Sequence, residues 1–214
     1  MTTAIARELR QRAYRELVLE AAEAEFAEHG FEGARMQNIA ALAGLSVGTV
    51  YEVVGGKEAL FSDVLTRRLP AILQAAGEAG AGVETAVERL VIGMEVYVDF
   101  MLAHSNWLRI HLFAHPWGIG PLRGAPEREA WEQGLALHAQ VLEQAMDEGT
   151  VHRADPTLLA RSLAAIQQVH LAAWVTGGMR ASPETVRETI VELFRRSFLT
   201  DAGRRRSETR RRQL

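Results

Sequence analysis

The stretch Met36–Leu60, MQNIAALAGLSVGTVYEVVGGKEAL, constrains the fold more than any other part of the chain. Its first nineteen residues predict two short helices meeting at a sharp corner, with Ile39 and Ala40 on the first, Gly44 and Leu45 at the bend and Val50 on the second. Helices can cross this closely only if a small residue sits at the crossing and the corner residue tolerates positive φ; Ala40 and Gly44 meet those needs. Ile39, Leu45, Val50 and Val54 are spaced to fill the wedge, which leaves Ser46, Val47, Thr49 and Glu52 on other faces of the second helix. The layout is that of a helix-turn-helix, whose second helix can enter a DNA major groove.

The flanks extend the helical pattern. In residues 13–29, Tyr14, Val18, Ala22 and Phe26 recur at four-residue steps with Leu17 and Ala21 beside them. This predicts an amphipathic helix stopped by Gly30, with Phe31 folding back onto it. Ser46 is placed to N-cap the second motif helix, and Gly55 and Gly56 make the next turn. A longer helix is expected from Lys57 to about Ala76, with a kink or break at Pro70. After a glycine-rich loop at 77–82, helices are expected over 83–103, 105–115 and 127–148, the last two separated by the irregular run HPWGIGPLRGAP. Asp155 with Pro156, and Ser182 with Pro183, each read as an N-cap followed by a first-turn proline, so two more helices run over 156–176 and 183–199. The expectation is an all-α chain: an N-terminal three-helix helix-turn-helix domain over 1–68, a larger helical domain over 69–203, and a basic, disordered tail over 204–214.

Composition narrows the function class. With 48% hydrophobic residues among 214, the chain can bury a sizeable core. The lack of cysteine removes disulfides and thiolate metal sites and suits a reducing compartment. No signal-like stretch and no eighteen-residue apolar window occurs, so a cytoplasmic protein without membrane association is expected. Net charge is −3, with the basic excess confined to residues 204–214, so non-specific attraction to nucleic acid is modest unless the basic groups share one face. The tail reads first as a solvated segment and second as a non-specific DNA contact. No nucleophile elbow, phosphate loop or paired carboxylates stand out, which argues against an enzyme and implies no cofactor.

Polar groups inside apolar stripes mark a candidate ligand cavity in the larger domain. Leu163, Gln167, His170 and Trp174 share one helical face, while Met94, Tyr97, Met101, His104, Trp107, His111 and His138 come from stripes expected to face inward. A mostly apolar lining with a few directed polar groups is what a small-molecule site needs. The alternative is a bundle core in which each histidine bonds a neighbouring carbonyl. His111 and His115 stand four apart, a spacing that could hold a metal, but no acidic third ligand accompanies them and no metal site is expected.

The motif region resembles the TetR family of transcriptional regulators. The family habit of Gly-Phe, Ile-Ala, Ala-Gly-Val-Ser, Gly-Thr-Leu-Tyr and Lys-Glu-x-Leu is met without a gap across about residues 13–61, by Gly30, Phe31, Ile39, Ala40, Ala43, Gly44, Ser46, Gly48, Thr49, Tyr51, Lys57, Glu58 and Leu60. The resemblance implies that Tyr51 and Lys57 contact phosphates, that Ser46 and Thr49 support backbone or base contacts, and that Val47 and Glu52 tune sequence choice. It further implies a repressor that a small, largely apolar effector releases from operator DNA, and a homodimer built by the last two long helices. Their apolar faces carry Leu159, Leu163 and Ile166 on one, and Val186, Ile190, Leu193 and Phe194 on the other; these could instead close a monomer core. Arg35 stands where the family has an N-capping threonine, Val-Val-Gly-Gly replaces Tyr-Phe-Pro-Ser before Lys57, and Val47 and Glu52 occupy positions often basic or aromatic. A ligand-binding or interaction protein whose motif no longer reads DNA is the alternative that these departures keep open.

Overall fold

A computed structural model of the chain describes residues 2–114 and 125–209; among these the regular elements are helices, with one isolated antiparallel bridge between Val151 and Leu199. In chain order they are α1 (Thr2–Gly33), α2 (Met36–Ala43), α3 (Val47–Val54), α4 (Lys57–Thr66), α5 (Leu69–Gly80) and α6 (Ala86–Ala103). There follow α7 (Ser105–Ala114), α8 (Ala125–Asp147), α9 (Pro156–Thr176), α10 (Pro183–Phe198) and α11 (Asp201–Thr209). Two units result: the first holds the residues up to Arg68 together with Asn106–Ala114, the second Leu69–Ser105 and the described residues from Ala125 onward. No helix among the described residues is long and apolar enough to cross a membrane.

In the first unit, α1 begins well before the expected residue 13, and its path breaks at Gly30, where φ is 67° and ψ is 179°. That left-handed residue returns Phe31 onto the core. The Phe31 ring stacks on Phe26 at 6.2 Å, and both meet Phe61 edge-on at 5.0 Å. Val18, Ala22, Phe26, Ile39, Val50, Leu60 and Val64 are fully buried, so the amphipathic face of α1 closes over α2, α3 and α4. Leu17, expected beside this stripe, is exposed.

Two acidic residues of α1 hold the motif from the inside. Glu23, buried, accepts from Arg68 through both carboxylate oxygens at 3.1 Å, and Arg67 lies 3.7 Å away. Glu25, also buried, accepts from the Arg35 backbone N–H at 3.0 Å and from Asn38 Nδ2 at 2.9 Å. Arg35 makes no side-chain cap to α2, so a carboxylate from the neighbouring helix replaces the missing N-cap and also favours the positive end of the α2 dipole. Glu25→Ala removes the acceptor of two part-buried hydrogen bonds, and we expect a loss of about 0.5–1.5 kcal/mol in urea unfolding. A variant as stable as the parent would show that water serves those donors equally well.

Several expectations need correction. The 57–76 helix is interrupted at Arg67 and Arg68, ahead of Pro70. Proline clashes with the carbonyl four residues before it, here that of Thr66, which is the last residue of α4; Pro70 itself sits in the first turn of α5, where no N–H is needed. The run 77–82 is helical through Gly80, helped by Gln74 donating to Glu78 at 2.8 Å, and the turn waits for Gly82 at φ 73°.

In the second unit, Thr85, Asp155 and Ser182 cap α6, α9 and α10 by accepting from the N–H three residues on. The basic segment from Arg204 is helical through Thr209, against the expected disorder. Its helix is tied to the 149–152 turn: Thr200 N–H donates to the Thr150 carbonyl at 3.0 Å, Thr200 Oγ1 to that of Gly149 at 2.8 Å, and His152 N–H to Phe198 at 3.0 Å. Val186, Ile190 and Phe194, read as a face for a second copy, are buried within the unit, as is Leu163.

Candidate DNA-binding surface and ligand-binding interior

Gly44 closes α2 at φ 67°, and the Leu45 N–H returns to the Ala40 carbonyl at 3.0 Å, which sets the corner. Ser46 then caps α3: its Oγ accepts from the Thr49 N–H at 3.1 Å and pairs with Thr49 Oγ1 at 2.8 Å. Val50 is fully buried and Val54 nearly so, whereas Ser46, Tyr51 and Glu52 are exposed and Val47 and Thr49 half-exposed. Ser46 and Thr49 thus combine a capping role with an outward position, and whichever hydroxyl accepts in their mutual bond keeps its own proton for a DNA backbone oxygen. Gly55, at φ 79° and ψ −40°, ends α3 and permits the turn that Val-Val-Gly-Gly makes before α4. Lys57 Nζ donates to the Glu32 carbonyl at 3.2 Å and rests 4.9 Å above the Phe31 ring, so the only lysine of the chain is held at the end of α1 beside the motif. Arg15 braces the far end of α3, donating to the Val53 carbonyl at 3.3 Å and to Asp63 at 2.6 Å.

The candidate ligand residues divide between the units. Trp107 and His111 lie in the first unit, against the expectation of a place in the larger domain. Trp107 is fully buried and its indole N–H donates to the Val64 carbonyl of α4 at 2.9 Å; His111, buried, stacks on it at 5.3 Å. The packing of an indole whose N–H needs a buried acceptor decides this allegiance, which helical spacing cannot report. His115 lies outside the described residues.

In the second unit, Met94 and Met101 are fully buried on α6. Half-buried Tyr97 has a desolvated phenol, which pushes its pKa up. His104, His138 and His170 are half-buried, and each places Nδ1 2.8–2.9 Å from the carbonyl four residues earlier, of Phe100, Gly134 and Ile166. That is the ordinary way a helical histidine satisfies one ring nitrogen, and it leaves Nε2 as the second polar atom. Trp174 donates to the Ala181 carbonyl at 2.9 Å. Gln167 is 6% and Gln168 2% exposed; Gln167 Nε2 and both amide atoms of Gln168 have no hydrogen-bond partner among the described residues. Gln168 lies one residue off the face that carries Gln167, so helical spacing alone does not single it out. Among the described residues, no group of three or more His, Asp or Glu could hold a metal ion.

A short helix capped at its start, anchored by two valines and open along its other side defines a helix-turn-helix DNA-binding protein. Comparison with known proteins agrees. Residues 18–64 match the model of the bacterial regulatory proteins, tetR family. The HTH-type transcriptional repressor SCO4008 of Streptomyces coelicolor is 28% identical over 185 residues, 84% of this chain and 92% of the relative. The ketosteroid transcriptional regulator KstR2 of Mycobacterium tuberculosis shares the fold with a TM-score of 0.73 at 21% identity, over 87% of this chain and 95% of that one. AibR, solved with isovaleryl coenzyme A and operator DNA, superposes with a TM-score of 0.69 at 21% identity, over 84% of this chain and 97% of that one. The motif of residues 18–64 is thus of the tetR type, and the chain as a whole shares the fold of these transcriptional regulators.

Proposed function

We propose that the protein is a transcriptional repressor that reads operator DNA with α3 as a homodimer and is released by a small molecule bound in its second unit. The observation that carries this reading is the division of α3 between buried Val50 and Val54 and the outward Val47, Thr49, Tyr51 and Glu52. Tyr51 and Lys57 take phosphates, Ser46 and Thr49 make backbone or base contacts, and Val47 and Glu52 select the sequence. A carboxylate in the groove accepts from a cytosine amino group and is repelled by phosphate, so Glu52 narrows the choice of operator. It acts as a regulator of genes in the cytoplasm rather than as an enzyme.

Selection of bound fragments from random-sequence DNA tests the proposal. We expect enrichment of two-fold-symmetric sites with half-sites about one helical turn, roughly 34 Å, apart. A library that emerges unenriched would favour the alternative, a ligand-binding or interaction protein of this fold that no longer reads DNA. On the selected operator, Lys57→Ala should weaken binding across sequences and lower the salt slope by about one. An unchanged slope would remove Lys57 from the phosphate contacts.

For the effector, buried Met94 and Met101 offer an apolar wall, and the amides of Gln167 and Gln168 offer a donor and an acceptor awaiting partners. Such a lining favours a mostly apolar molecule with one hydrogen-bonding group, with Tyr97, His104, His138, His170 and Trp174 as further candidates. Release follows by linkage: an effector that fits a form with misplaced recognition helices binds less well when operator is bound. Dimerisation draws support from α9, where Leu158 and Val169 are exposed on the outer face. Sedimentation velocity at micromolar concentration should give twice the 23.6 kDa chain mass.

A further inference from the structure

A cleft of about 620 Å³ opens in the second unit between α6, α10 and α11. Its size suits a small molecule. Val91, Ile92 and Val191 give it apolar wall, and charged groups of α6 and α10 surround them. None of the residues proposed above for the effector line it.

Most of its charges are answered locally. Arg187 donates to Asp99 at 2.7 Å, and Glu95 and Glu184 add to the field around it. Glu192 pairs with Arg196 at 2.7 Å, Glu88 accepts from Thr85 Oγ1 at 2.7 Å, and Glu188 also has a partner. Arg195 is the exception. Only 9% of it is exposed, its Nε has no hydrogen-bond partner, and none of the ion pairs among the described residues includes it. A guanidinium Nε–H taken out of water without a partner is costly, so a chain that keeps one gains where a ligand's oxygen meets it. Its planar fork matches a carboxylate.

A simple anion would nevertheless meet four glutamates on the same walls, Glu88, Glu95, Glu188 and Glu192, against two arginines, one of them already neutralised. A ligand that carries its own positive charge relieves that repulsion. Arg195 stands eight residues along α10 from Arg187, about 12 Å at the helical rise, and Glu95 lies at the Arg187 end. We propose that the cleft binds a small zwitterion with its carboxylate on Arg195, its ammonium group facing Glu95, and the connecting hydrocarbon against Val91, Ile92 and Val191. This site is independent of the DNA and effector readings.

Calorimetric titration of the full chain with 6-aminohexanoate, hexanoate and hexylammonium tests it. We expect 6-aminohexanoate to bind saturably at one site per chain and at least tenfold more tightly than either singly charged probe. Arg195→Met should weaken it at least tenfold, and Glu95→Gln should weaken it several-fold without weakening hexanoate. Arg195→Met should also raise the melting temperature of the ligand-free protein, since a methionine fills similar volume without a buried, unpartnered N–H. The proposal is overturned if no probe binds saturably, if hexanoate binds as tightly as 6-aminohexanoate, if binding survives Arg195→Met, or if that variant melts lower, which would make Arg195 a structural group.

Discussion

Replacing Trp107 by alanine is expected to destabilise the first unit by about 3–5 kcal/mol, the cost of emptying a fully buried aromatic site. Two effects add. The indole fills core volume from α7, a helix far along the chain from the rest of that unit, and its N–H satisfies the Val64 carbonyl at 2.9 Å. Trp107→Phe separates them: it retains most of the ring and forfeits the hydrogen bond, for which about 0.5–1.5 kcal/mol is expected. Thermal unfolding should place the alanine variant roughly 6–20 °C below the parent and the phenylalanine variant within a few degrees of it. Because α3 and α4 belong to the same unit, operator affinity of the alanine variant should fall as that unit unfolds. If the alanine variant melted with the parent, α7 would not be part of this unit.

The second large effect concerns Gly203 at the start of α11. A Cβ built there lies 2.0 Å from the Thr150 carbonyl oxygen and 2.9 Å from its carbon. Backbone cannot yield easily at this point, because Thr150 is held by its own N–H and Oγ1, both donating to the Ala145 carbonyl at 2.9 Å. Gly203→Ala is therefore expected to cost about 1–3 kcal/mol by overpacking, or to push α11 off the unit. Hydrogen exchange over 201–209 would report the second outcome as lost protection. Gly93→Ala in α6 is the control: nothing lies within 4 Å of its Cβ position, and the substitution should be neutral or stabilising by up to about 1 kcal/mol. Equal effects at the two glycines would show that the approach to Thr150 is not the constraint.

Both variants probe features that local pattern does not announce. The stripe on residues 13–29, the corner at Gly44, the caps at Ser46, Asp155 and Ser182 and the boundaries of α9 and α10 follow from side chains acting on backbone within one turn, so they were legible in the sequence. The same periodicity that buries Val50 and Val54 exposes Tyr51 and Glu52, which is why the outward side of α3 could be read before its surroundings were known. Elsewhere the pattern stops short. An apolar stripe says that a side chain is buried, not against which helix: Val186, Ile190 and Phe194 close their own unit, and Trp107 serves α4.

What the sequence by itself determined is therefore the all-helical class and the helix-turn-helix, because capping, φ preference and 3.6-residue spacing are local and strong. Only the tertiary structure decided how the exceptions are resolved. Glu25 replaces the cap that Arg35 cannot provide, and a helix of arginines packs because Gly203 lets it approach Thr150. Arg195 Nε lacks a partner at the wall of a cleft formed by three separate helices. Each depends on which residues distant in sequence come within a hydrogen bond or a van der Waals radius of one another, and composition and period carry no record of that distance.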